Sequence, residues 1–276
     1  MSLGFDYDRM ERNHQEVDNT KEKTLWGELR ARPHEILDAS VKYSYADRSN
    51  SDYDSVDHIE PQNERMRLFN LAERKRDKVS GNLTITPVSA LTLGLSADYY
   101  KDDYDDTELG LTEAKGTSYS VDLSYFINED LTTTAYYTRE KLESDQAGNL
   151  GADWFMDDEN ATHTTGVGIN WAAIPDKLDI GADLVYLDYT GKINYDNVAD
   201  YPDLESTLKS VRLHGTYRMK DNISLKLAYR YEDYSEDDWA KDGIGVDTLP
   251  TVLGLGADTQ DYDAHVIAAS IRYDFE

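Results

Sequence analysis

The chain has 276 residues, with 55 acidic against 28 basic side chains, a formal net charge of −27 and no cysteine. So acidic a chain is a poor partner for nucleic acid, whose binding is driven by basic side chains displacing counterions. The missing thiols exclude a disulfide framework, a thiolate metal site, a nucleophilic cysteine and covalent haem attachment. The length is enough for one large domain, no apolar run approaches the roughly 20 residues of a membrane-spanning helix, and an aromatic content of 11% argues against disorder.

In chain order, the sequence predicts extended segments on either side of the polar stretch 13–22, running up to Pro33-His34, and then a succession with period-two alternation. Leu37, Ala39, Val41, Tyr43 and Tyr45 share one face, and Val79, Gly81, Leu83 and Ile85 the next. The clearest is Leu91–Tyr99, where Leu91, Leu93, Leu95, Ala97 and Tyr99 alternate with Thr92, Gly94, Ser96 and Asp98. Tyr119–Tyr125, Leu131–Tyr137, Val167–Trp171, Leu178–Tyr186, Val211–Met219, Ile223–Tyr231 and Ile267–Phe275 repeat the pattern. None of these apolar faces carries a charge; the opposite faces hold Asp98, Asp122, Asp183, Arg212, His214, Arg218, Lys226, Arg230 and Arg272.

Connections are of two kinds. Short ones are expected at Pro33-His34, Pro87-Val88-Ser89, Asn128-Glu129-Asp130, Ile174-Pro175-Asp176 and Lys220-Asp221-Asn222, and long polar loops around 13–22, 48–64, 102–115, 142–160, 191–206 and 236–261. Short turns on one side and long loops on the other is the pattern of an outer-membrane barrel, here an all-β, antiparallel, up-and-down transmembrane β-barrel of about 12 strands with short periplasmic turns and long extracellular loops. Tyrosines support it. Tyr43, Tyr45, Tyr99, Tyr137, Tyr186, Tyr229 and Tyr231 fall at the long-loop ends of the apolar faces, and Tyr125, Trp171, Tyr217, Tyr273 and Phe275 at the short-turn ends. Two aromatic girdles flanking an aliphatic band are what a headgroup boundary selects, whereas a soluble sandwich has no reason to sort its tyrosines this way.

The whole of 1–276 reads as one barrel domain. The last strand, His265–Phe275, ends in an aromatic of the kind that barrel-assembly machinery reads, so Met1-Ser2-Leu3 and Glu276 are expected to be additions to the natural sequence. The start has neither the basic nor the apolar region of a secretory signal; the expectation is a removed leader or the C-terminal part of a longer chain.

No chemical site stands out. The acid-rich stretches Asp102–Asp106 and Glu232–Asp238 could offer calcium carboxylate oxygens but lack the EF-hand spacing, and a solvated loop is the plainer reading. Arg74-Lys75-Arg76 is the dense positive cluster, open to a partner, to lipopolysaccharide phosphates, or to simple charge balance. His14, His34, His58, His163, His214 and His265 are scattered without HExxH spacing. Gly243-Ile244-Gly245 and Leu253-Gly254-Leu255-Gly256 lack the setting of a phosphate loop, and no nucleophile elbow or distinct carboxylate pair is present, so no enzyme is expected.

Several stretches, in order, resemble the MtrB/PioB family of decahaem-associated outer-membrane proteins. They are Arg67–Val79, similar to that family's "LADRDRDKV" segment; Tyr99–Tyr104 followed by Glu108–Ala114; Tyr137–Lys141; Ile174–Leu178; Asp237–Ala240; and Tyr262–Ile267. The resemblance covers about Gly4 to Phe275 and corresponds to the C-terminal part of longer family members, some of which carry a CxxC that this chain lacks; Glu73 stands where the pattern often has Asp. It implies a bacterial outer-membrane sheath around a multihaem c-type cytochrome, which carries the haem while the barrel has no cofactor or metal of its own and meets outer-membrane lipid and lipopolysaccharide. Arg212, His214, Arg218, Lys226, Arg230 and Arg272 are then the candidate lumen-facing partner contacts, chosen by face, with hydration of the inner wall as their plain alternative role. Two further classes stay open: a diffusion porin or narrow channel without a haem partner, and a soluble β-rich binding module. An open aqueous channel takes about 16–18 strands, so the expectation is either part of a larger barrel or a smaller one closed on itself.

Overall fold

A computed structural model describes residues 1–53, 63–149, 151–196, 199–239 and 261–275. It contains β1 (Ser2–Glu11), β2 (Asn19–His34), β3 (Leu37–Asn50), β4 (Met66–Arg67), β5 (Arg74–Val88), β6 (Leu91–Asp103), β7 (Leu109–Asn128), β8 (Leu131–Asn149), β9 (Asp153–Ile174), β10 (Leu178–Tyr195), β11 (Leu204–Lys220), β12 (Ile223–Asp237) and β13 (Tyr262–Tyr273). Apart from the two-residue β4, each strand pairs antiparallel with the next in sequence, giving the expected up-and-down meander of twelve long strands. β4 runs parallel beside the start of β7. The sheet is open, with β1 and β13 at its two edges.

Register keeps the apolar residues together. Leu83 lies opposite Leu95, Leu95 opposite Val121 and Val121 opposite Tyr137, so one row of side chains crosses four strands on one face. A slip of one residue would carry a whole strand's apolar set to the polar face. All five short turns form where expected. At one of them Pro175 leads into Asp176, which takes φ 60°, and Lys177 N–H donates to Ile174 O at 2.9 Å; Pro presets the first turn position, and Asp tolerates the left-handed second one.

Two of the expected long loops, 102–115 and 142–160, are instead mostly strand, and 191–206 is half strand. β6 reaches Asp103 and β7 begins at Leu109; β8 runs to Asn149 and β9 begins at Asp153; β10 runs to Tyr195. The reading by apolar alternation stops where the apolar residues stop. The ladder does not, because opposite charges across neighbouring strands stabilise it in water: Lys101 Nζ lies 2.8 Å from Glu113 Oε2, and Lys141 Nζ 3.0 Å from Glu159 Oε2. β7 and β9 therefore have 20 and 22 residues, about twice the 9–11 that cross a bilayer. The expected glycine-rich segments 243–245 and 253–256, and His58, lie outside the described residues.

Among the described residues, none covers the apolar face. Leu25, Leu29, Val41, Leu184, Leu227 and Ile267 are 53–76% exposed. Among the described residues, the buried apolar side chains are Val17, Ala46, Leu71, Ala72, Tyr104, Leu109 and Ala147, all at the long-loop end. A contiguous apolar face that wide marks an interaction with something nonaqueous.

Candidate functional site on the polar face

The polar face has two parts. At the long-loop ends of β2, β3 and β5–β7 it is covered by residues 63–72 of the chain itself. Arg48 and Asn50 belong to the polar face by parity with Tyr43 and Tyr45. Arg48 donates to Ala72 O at 3.0 Å and Phe69 O at 2.6 Å, and Asn50 donates to Leu71 O at 3.0 Å. The segment is thus folded against the wall, and its own Leu71 and Ala72 are almost fully buried there. At its other end, Gly110 (φ +118°) lets Arg67 O approach so closely that a Cβ would collide with it, which is why glycine stands where β4 meets β7.

Under this cover sits an arginine cluster. Glu22, Arg48 and Arg74 are directly opposite one another on three adjacent strands. Arg74 reaches Glu22 at 2.7 Å, and Arg76 grips Asp102 in a bidentate pair at 2.5 and 2.6 Å. The Asp102 side chain is only 3% exposed, with Arg74 a further 3.7 Å away. Burial, with Arg74 beside it, pushes the Arg48 guanidinium pKa down, while the hydrogen bond to Asp102 pushes that of Arg76 up. The positive run Arg74-Lys75-Arg76 is accordingly split by the pleat: Arg74 and Arg76 face this cluster, and Lys75 points the other way, to Asp105 at 2.7 Å. Within Asp102–Asp106, Asp102, Asp103 and Asp105 each face a cation, and among the described residues no group of three or more His, Cys, Asp or Glu is placed to hold a metal.

Over β8–β13 no described segment crosses the polar face away from the long-loop end, where Tyr201 packs against Tyr195 and Trp239. On this uncovered wall lie the six residues singled out from sequence, each on the face opposite its strand's apolar row. Arg212 and Arg230 are opposite each other on β11 and β12, and Asp183 is opposite Arg212 on β10; with Tyr136, Val185 and Ser210 they line a depression of about 390 Å³. Arg230 also lies 3.2 Å from Glu232. Arg218 meets Asp179 at 2.6 Å, Arg272 meets Asp274 at 2.9 Å, and His214 Nδ1 is 3.8 Å from Asp183, too far for a hydrogen bond. Lys226 is exposed opposite Thr216 and Ser270. The six are spread along the wall; Arg212 and Arg230 are the pair brought together.

Aromatic rings also lie on this face, each directly opposite a glycine: Trp26 opposite Gly4, Tyr100 opposite Gly116, and Tyr136 opposite Gly166. A Cβ on any of these glycines would collide with the ring. The rings therefore lie along the wall over backbone, which keeps the polar face low. Sequence reasoning passed over both this pairing and the cluster of Arg48, Arg74, Arg76 and Asp102; the parity of Arg74 and Arg76 against Val79 was the available signal for the latter.

The family model for the outer membrane beta-barrel porin MtrB/PioB matches residues 1–275. The outer membrane protein MtrB of Shewanella baltica (strain OS185) is 34% identical over 277 residues, a match that covers 98% of this chain and 40% of that protein. Among solved structures, the ferric citrate transporter FecA in its unliganded form superposes with a TM-score of 0.67 at 10% identity, over 99% of this chain and 42% of that one. The alcaligin outer-membrane receptor FauA of Bordetella pertussis gives 0.63 at 10% identity, over 99% and 41%.

Proposed function

The chain belongs to the MtrB/PioB family of outer-membrane β-barrel proteins, and from that premise we propose that it forms an arc of a wide barrel whose lumen holds a multihaem c-type cytochrome. The observation that carries this reading is the open twelve-stranded sheet with its apolar face exposed, which superposes over nearly its whole length on two-fifths of a ferric citrate transporter. Transporters of that class have about 22 strands and a lumen wide enough to be plugged. The chain spans 40% of the curated relative's length, in keeping with an arc that the remainder of a longer barrel completes.

In this reading the barrel is a scaffold, and the division of labour is physical. The apolar face meets hydrocarbon, in which an unsatisfied backbone group is prohibitively costly and only a closed ladder is tolerated. The polar face meets the partner. Haem and redox chemistry stay with the cytochrome; this chain contributes insulation from lipid and a surface to dock against. Arg212, Arg218, Lys226, Arg230 and Arg272 are the docking cations for acidic groups of the partner, with His214 beside them as a polar contact and with Arg212 and Arg230 at the centre because they stand directly opposite each other on adjacent strands.

Extraction of the full-length protein from outer membranes in mild detergent tests this. A Soret band co-eluting in fixed ratio with the barrel is the expected result. Steady ion conductance in a planar bilayer from haem-free protein, with no cytochrome bound, would replace the sheath with a diffusion porin.

A further inference from the structure

Beyond the tyrosine girdle at the long-loop end, the outward face of β6–β9 changes in a fixed order. On β8 the outward residues after Tyr137 are Arg139, Lys141, Glu143 and Asp145; on β7, moving outward from Tyr119, they are Thr117, Lys115 and Glu113. On β6 Lys101 and then Asp103 follow Tyr99, and on β9 His163, Ala161, Glu159 and Asp157 follow Thr165. The registers align these strands, with Tyr119 opposite Arg139, Thr117 opposite Lys141 and Lys101 opposite Lys115. On β6–β8 the basic side chain lies nearer the hydrocarbon and the acid farther from it, and on β9 His163 holds the inner place and Glu159 and Asp157 the outer ones. The flanking strands break the order: on β5 Asp77 precedes Lys75, and on β10 Asp188 precedes Lys192. The cationic tier is thus a bounded patch.

We propose that Lys101, Lys115, Arg139 and Lys141 bind the phosphate groups of the phosphorylated glycolipid that forms the outer leaflet. The position argues for this occupant. Same-face neighbours are about 6.6 Å apart along a strand, so Arg139 and Lys141 stand one and two such steps past the tyrosine that marks the hydrocarbon edge. That is where a glycolipid whose acyl chains cover the apolar face carries its phosphates. The chemistry agrees. An ammonium has three donors; Lys101 uses two, on Asp103 at 2.7 Å and Glu113 at 2.8 Å, and Lys141 two, on Glu143 at 2.9 Å and Glu159 at 3.0 Å. Each keeps a donor for a phosphate oxygen. Arg139 donates to Tyr119 Oη at 2.8 Å, while its Nε is shielded from water and has no partner. The acids hold the lysines from the water side and so fix the tier in place.

The proposal rests on the outer-membrane placement of the chain and not on the cytochrome. Binding of bisphosphorylated lipid A, monophosphorylated lipid A and a phosphate-free glycolipid of the same acyl composition is measured on the full-length protein in detergent, by fluorescence titration. Parent protein is expected to prefer them in that order. Arg139→Gln with Lys141→Gln should weaken the bisphosphorylated lipid about tenfold or more, while Arg139→Lys with Lys141→Arg should retain it and Lys192→Gln should leave it unchanged. Heat-modifiable gel migration verifies that each variant is folded. Equal affinity of parent and the folded Gln double variant, or no preference for phosphate in the parent, would overturn the proposal. Failure to find a bound cytochrome would leave these affinities as they are.

Discussion

The two halves of the sheet's polar face obey the same alternation and use their cations oppositely. At the long-loop ends of β2–β7 the guanidinium groups of Arg48, Arg74 and Arg76 lie beside or beneath the segment ending at Ala72, Arg74 13% and Arg76 34% exposed, and are held by Glu22, the buried Asp102 and main-chain carbonyls. Over β8–β13 Arg212, Arg218, Arg230 and Arg272 stand on an uncovered wall, and those with acid partners are about half exposed or more. Burial decides the difference. Enclosed ion pairs must stay matched because a charge left alone there is strongly unfavourable, whereas exposed pairs contribute little to stability and are free to exchange partners. The first half is therefore a structural buttress and the second the candidate docking surface.

The largest expected effect tests the enclosed half. Asp102→Asn leaves Arg76 and Arg74 without their shared carboxylate and should destabilise the protein by about 3–5 kcal/mol, while Asp179→Asn, which removes the exposed partner of Arg218, should cost at most about 1 kcal/mol; denaturant unfolding in lipid vesicles compares them. Leu71→Ala, at a fully buried position, should cost about 2–5 kcal/mol where the covering segment stays docked, or release that segment at a smaller cost, which limited proteolysis would reveal. On the bare half, Arg212→Gln with Arg230→Gln should reduce cytochrome retention while changing stability by no more than about 0.5 kcal/mol. The smallest effect is in pH. Glu113, on the extension beyond the tyrosine girdle, has its pKa lowered from 4.5 by hydrogen bonds to Lys101 and Lys115. A lowered folded-state value means stabilisation that is present above 4.5 and is lost as the pH falls through the folded-state pKa. Glu113→Gln should flatten that acid limb slightly in the unfolding curve.

Much of this was legible in the sequence because a strand in a bilayer has only two faces. Leu91–Tyr99 shows its parity without help from the rest of the chain, and Pro175-Asp176 marks its turn by local backbone preference. The extensions of β8 and β9 were hidden because their ladder is held by charge pairs such as Lys141–Glu159, which are distant in sequence and look like loop composition. The cover over Arg74 and Arg76 was hidden for a related reason. Leu71 and Ala72 are too few to signal a packed core, and their burial depends on Arg48 and Asn50, more than 20 residues earlier. What strand pairing assembles across long separations, composition does not announce.

The central claim is that alternate side chains of these strands meet lipid and water. With no cysteine among these 276 residues, and any cysteine elsewhere in the full-length protein replaced by serine, single cysteines can be placed at successive positions from Ala182 to Leu187 on β10, each labelled with a fluorophore and exposed to brominated-chain lipid in vesicles. Quenching at Ala182, Leu184 and Tyr186 with none at Asp183 and Val185 is the predicted pattern. Uniform quenching along the strand, or none anywhere, would contradict it.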